Sequence, residues 1–104
     1  RCVVMMELDE MKVRAGEVAE LLKTMAHQDR LMVLCQLIEG EVGVTQLQEN
    51  SALSQSAFSQ QLSVLRKNGL VQVRKESQQV FYSLADPRVK ELIGSLHSIF
   101  CVEK

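Results

Sequence analysis

Proline and glycine are scarce in this chain, one and five residues of 104. That scarcity excludes an interdomain linker, and a single domain is expected. No internal repeat or low-complexity segment appears. No apolar run approaches the ~20 residues a membrane-spanning helix needs, and no signal peptide is visible. A membrane partner is therefore not expected, and the cytoplasm is the expected address. The three cysteines never form C-x-x-C, and there is no thioredoxin-like alternation of strand and helix, which argues against a thiol oxidoreductase. No enzymatic activity and no cofactor are implied.

What is present suffices for a modest core, with 46% apolar and 24% charged residues. Because the chain starts at Arg1 rather than Met, residues 1–7 are expected to be a flexible, trimmed end, and residues 8–101 the domain. The periodicity predicts a first helix from Leu8 to Met25, with Glu7, Asp9 and Glu10 near its positive end. After Ala26-His27-Gln28 a second helix is predicted from about Asp29 to Glu39, closed by Gly40. Leu31, Leu34, Cys35 and Ile38 follow i, i+3, i+4, i+7, which places Cys35 on the buried face. Thr45-Gln46-Leu47-Gln48 has the form of a capping box opening a short helix, and Asn50 to Leu53 is a polar turn.

Ser54 then caps a helix running to about Asn68, in which Phe58, Leu62 and Leu65 share one inward face. Gly69 stops it. Leu70 to Lys75 and Val80 to Leu84 read as two strands around Ser77-Gln78. Asp86 caps, and Pro87 begins, a last helix reaching about Cys101. The fold class is mostly α with a small β-hairpin, and helix, turn, helix, hairpin is the order of a winged helix-turn-helix. The two terminal helices carry more apolar surface than a monomer of this size covers, so a homodimer through them is expected.

The outward face of the Ser54 helix consists of Gln55, Ser56, Ser59, Gln60, Ser63 and Arg66. Glutamine bonds an adenine edge bidentately, and serine bonds bases or phosphate, so this face suits a recognition helix in a major groove. Charge is distributed accordingly. Ser51 to Lys75 holds Arg66, Lys67, Arg74 and Lys75 and no acid, whereas Glu7 to Glu41 holds eight acids against four bases. The net charge of −1 conceals a basic patch of the kind phosphate attraction requires. Operator double-stranded DNA is the expected partner, read by Gln55, Ser56, Ser59, Gln60 and Ser63 and held by Arg66, Lys67, Arg74 and Lys75. An interaction module that has kept this fold without binding DNA is the alternative.

Four separated stretches carry a family resemblance: L-L-K-T-M-A-H-Q-D-R-L-M-V-L-C from Leu21, L-S-Q-S-A-F-S-Q-Q-L from Leu53, L-R-K-N-G-L-V from Leu65 and Q-Q-V-F-Y-S-L from Gln78. In this order they resemble the ArsR family of bacterial winged-helix repressors. The resemblance implies a dimer that holds operator DNA and releases it when an inducer binds to or reacts with the protein. Some members sense metals, and a metal-responsive repressor is a second alternative. A common metal site uses a C-x-C pair, where this chain has Gly43 and Thr45. Another uses the last helix, where Asp86 is followed by Arg88, a cation that opposes a divalent ion. No metal site is expected.

Cys35 and Cys101 instead resemble the thiol pair of a dithiol subgroup that senses reactive sulfur or oxidants, and the resemblance carries over to these two residues alone. On chemical grounds two thiols on packed helices of a cytosolic protein are either packing or a reversible switch. Cys35 alone, on an apolar helical face, reads first as a small hydrophobe. Cys101 lies near a chain end with His97 one turn before it, and His97 reads either as a thiolate-supporting cation or as a surface histidine. The inducers implied are persulfide-type reactive sulfur species or oxidants. Cys2 is not expected to take part.

Overall fold

A computed structural model describes residues 7–100. The elements in chain order are α1 (Leu8–Met25), α2 (Gln28–Gln36), β1 (Val42–Gly43), α3 (Val44–Glu49), α4 (Gln55–Lys67), β2 (Val71–Glu76), β3 (Gln79–Leu84) and α5 (Pro87–Phe100). The core lies where α2, α4 and α5 meet the root of the hairpin. Val33, Leu34 and Leu37 come from the α2 segment, Leu47 from α3, Phe58, Leu62 and Leu65 from α4, and Val89 and Ile93 from α5.

Most expected boundaries hold for local chemical reasons. Ser54 Oγ accepts the Ala57 amide at 3.2 Å and opens α4. At its end Gly69 takes φ +79, its amide donates to Arg66 O, and that of Leu70 donates to Leu65 O. These are the paired bonds of a Schellman stop, with buried Leu65 and Leu70 providing its apolar contact. Asp86 Oδ1 accepts the Arg88 amide at 2.9 Å and starts α5. The hairpin pairs Val71 with Leu84 and Glu76 with Gln79, and Ser77 turns the corner at φ 57.

Four expectations are corrected. First, the sheet has three strands, ordered β1-β3-β2, because Val42 and Gly43 pair antiparallel with Tyr82 and Phe81. Second, Thr45 is not a cap. Gly43 stands at the N-cap of α3 with no side-chain bond, since extended pairing with β3 brings the chain straight into the helix at Val44. Gln48, the would-be partner in a capping box, donates instead to Leu53 O at 3.3 Å.

Third, α2 starts earlier and stops sooner than Asp29 to Glu39. His27 Nδ1 accepts the Asp29 amide at 3.2 Å and so serves as the cap. Beyond Gln36 the amides of Leu37, Ile38 and Gly40 bond three residues back, a tightening common at helix ends. Fourth, Cys35 is exposed. The α2 segment turns Val33, Leu34 and Leu37 inward; at ~100° per residue Cys35 points about 150° away from their mean direction.

The first helix carries apolar side chains at Leu8, Met11, Ala15, Val18, Leu22 and Met25, spaced alternately three and four residues apart. Only Met25 among them is buried, and Leu8 is 68% exposed. On α5, Ile99 and Phe100 are likewise exposed, Phe100 at 78%. The apolar excess expected on the terminal helices is present in the structure.

Candidate nucleic-acid interface

Helix α4 presents its two faces cleanly. Phe58, Leu62 and Leu65 are buried, while Gln55, Ser56, Ser59, Gln60, Ser63, Arg66 and Lys67 are all exposed. The exposed row begins at the first residue of the helix, where the free backbone amides add positive potential. No acid stands in its first turn, and Arg66 and Lys67 occupy its last. Such a face offers amide and hydroxyl groups along its length and cations at its far end. It can hydrogen-bond base edges and phosphates together.

Arg30 holds this helix at its angle. The guanidinium donates from Nε to Gln61 Oε1 at 2.8 Å and from Nη1 to the Thr24 carbonyl at 3.0 Å. One side chain of α2 thus ties the last turn of α1 to the middle of α4. Gln36 and Asn50 join α2 to the end of α3 at 2.7 Å.

The wing cations differ from one another. Lys75 is exposed. Arg74, grouped with it by sequence, donates to Glu41 through Nε and Nη2, each at 2.8 Å, and to Glu76 through Nη1 at 2.6 Å. Its guanidinium also lies 4.8 Å from the centre of the Phe81 ring. The hydrogen bond from Arg74 holds the Glu41 carboxyl below its usual value, and the Glu41 and Glu76 bonds raise that of Arg74. Sequence reasoning did not find Glu41, which lies 33 residues from Arg74 and outside every local motif.

The matched family model is that of bacterial regulatory proteins of the arsR family, over residues 27–73. The biofilm growth-associated repressor of Xylella fastidiosa is 42% identical over 99 residues, covering 95% of this chain and 87% of the relative. The chain belongs to the ArsR family. Its members are DNA-binding transcription regulators, and the similarity extends well beyond the matched segment. The transcriptional activator HlyU of Vibrio cholerae is 46% identical over 96 residues, covering 92% of this chain and 89% of that one. The structure of reduced HlyU from the same organism superposes with a TM-score of 0.86, covering 90% of this chain and 99% of its own. The winged helix-turn-helix architecture is thereby established.

Cys35 is exposed on α2. Cys101 and Cys2 fall outside the described residues, and His97 is exposed one turn before the end of α5. Among the described residues no three His, Cys, Asp or Glu side chains gather into a metal-holding cluster. Asp86 is engaged by Arg88, whose Nε and Nη2 donate to its two carboxylate oxygens at 3.1 and 2.8 Å. No described helix is long and apolar enough to cross a membrane.

Proposed function

We propose that this protein is a dimeric transcriptional repressor that holds a palindromic operator and releases it when reactive sulfur species or oxidants bridge Cys35 and Cys101. The observation that carries the DNA-binding part is the exposed, acid-free face of α4, with its amides and hydroxyls backed by Arg66 and Lys67. Gln55, Ser56, Ser59, Gln60 and Ser63 read bases or fix the helix on the backbone, and Arg66, Lys67 and Lys75 neutralise phosphates. The 3-4 apolar spacing of α1 supports the dimer, because such a seam calls for a second helix. Two recognition helices related by a two-fold axis enter successive major grooves, with half-sites centred ~34–36 Å apart.

The thiol part rests on the exposure of Cys35 and on the resemblance of the Cys35 and Cys101 pair to the dithiol members of the family. A low-molecular-weight persulfide transfers its outer sulfur to the Cys101 thiolate, forming a Cys101 persulfide and releasing the donor thiol. The Cys35 thiolate then attacks the inner sulfur, giving a disulfide and expelling hydrosulfide. If both cysteines become persulfides, they condense to a trisulfide with loss of hydrogen sulfide. The longer bridge spans more than the ~7 Å between Cα atoms that limits a simple disulfide. Either bridge ties α2 to the end of α5. Arg30, on α2 and bonded to α4, supplies a route by which that constraint alters the pose of the recognition helix.

The test is operator binding before and after treatment with an organic persulfide, in wild type and in Cys35→Ser and Cys101→Ser. Both variants are expected to bind like the reduced wild type and to stay bound after treatment, while the wild type is released. Release of either single variant contradicts the two-sulfur switch. If the persulfide leaves the wild type bound and zinc or cadmium releases it, the metal-responsive alternative holds.

A further inference from the structure

The side chain of Arg74 runs across the whole sheet. It starts on β2, lies over the ring of Phe81, its cross-strand partner on the central strand β3, and ends on Glu41, the residue preceding β1. The two bonds to Glu41 form a fork-on-fork pair, a geometry that fixes direction as well as strength. Glu41 belongs to the body of the protein, since the chain passes from it through β1 directly into α3. Wing and body are therefore strapped together by one guanidinium held at its far end.

Charge points the same way. One positive group faces two carboxylates, Glu41 and Glu76, so the cluster as a unit is negative and does not attract a phosphate. A lysine-like point contact with DNA would need neither the aromatic platform nor the bidentate acid.

We propose that Arg74 and Glu41 are a positioning pair that sets the angle at which the wing meets DNA, and that Arg74 neutralises no phosphate itself. The inference rests on the DNA-binding reading above. Its consequence runs against simple electrostatics. Glu41, an acid beside a DNA-binding surface, is required for tight binding.

Wild type, Glu41→Ala, Arg74→Ala, the double variant and Arg74→Lys would be titrated against a duplex enriched by the wild type, across a salt series, with thermal unfolding of each. Glu41→Ala and Arg74→Ala are each expected to weaken binding roughly fivefold or more, and the double variant no further than the weaker single, as coupled residues do. Their salt slopes should stay parallel to wild type. Arg74→Lys, which keeps the charge without the fork, should behave like Arg74→Ala. As a control, Lys75→Ala should make the slope shallower by ~1.8 per dimer, the share of the two phosphates that the two copies of Lys75 neutralise. Tighter binding by Glu41→Ala, a shallower slope for Arg74→Ala, or wild-type affinity for Arg74→Lys would each overturn the positioning role. Those outcomes leave wild-type binding intact, whereas a wild type that enriches no duplex defeats the DNA reading and this inference with it.

Discussion

At the scale of single residues the interface is a matter of which side chains are left unoccupied by the protein itself. Gln55 and Gln60 are exposed on α4, whereas Gln61, one position on, is half-buried and accepts from Arg30. Of three glutamines within seven residues, two face solvent and one is tied into the fold. Gln55→Ala and Gln60→Ala are expected to cost ~1–3 kcal/mol of discrimination at particular base pairs if they read adenine edges. Competition among single-base operator variants measures this, and an equal loss on every sequence would reject direct readout. Gln61→Ala should instead lower thermal stability, because it leaves Arg30 without its partner on α4.

At the scale of elements, what was legible in the sequence is what local chemistry decides. Ser54, the Phe58, Leu62 and Leu65 stripe, Gly69, and Asp86 with Pro87 each act within a turn of their own position, and each does what its residue type predicts. The features that were not legible depend on partners distant in sequence. Val42 and Gly43 form a strand only because Tyr82 and Phe81 lie beside them, and that pairing displaces the cap expected at Thr45. The exposure of Cys35 follows from which side of α2 meets α4 and α5, and that side is centred on Val33, Leu34 and Leu37 rather than on the stripe of Leu31, Leu34, Cys35 and Ile38. The pairing of Arg74 with Glu41 joins residues 33 apart in sequence, so no local pattern announces it.

The cap of α5 gives a prediction with a pH signature. The bonds from the Arg88 side chain, and then its amide, hold the Asp86 carboxyl below its ordinary value. The stabilisation is therefore present above the normal aspartate pKa and is lost as pH falls through the lowered one. Asp86→Ala should cost about 1 kcal/mol at neutral pH and remove that part of the acid-limb slope, as read by denaturant unfolding from pH 7 to pH 3. An unchanged slope would show that the pair is solvated enough to contribute nothing.

For the whole molecule, the exposed apolar seam of α1 and the polar face of α4 are linked through Arg30 of α2, and in the proposed dimer that link sets the spacing of the two α4 faces. Val18→Asp, placed in the exposed seam, is expected to yield monomers in analytical ultracentrifugation and to bind one half-site weakly while leaving the core of α2, α4 and α5 intact. A stable dimer from that variant would move the interface elsewhere. The activator and repressor names carried by relatives fit one architecture, since the sign of regulation depends on where the operator lies relative to other bound proteins.

Whether the reduced protein reads a two-fold symmetric DNA site through α4 is decided by selection from a random duplex library. The expected result is enrichment of an inverted repeat with half-sites centred one helical turn apart, ~34–36 Å, and loss of that enrichment when Arg66 and Lys67 are both replaced by Ala. No enrichment by the reduced wild type, or enrichment that survives the double replacement, would contradict it.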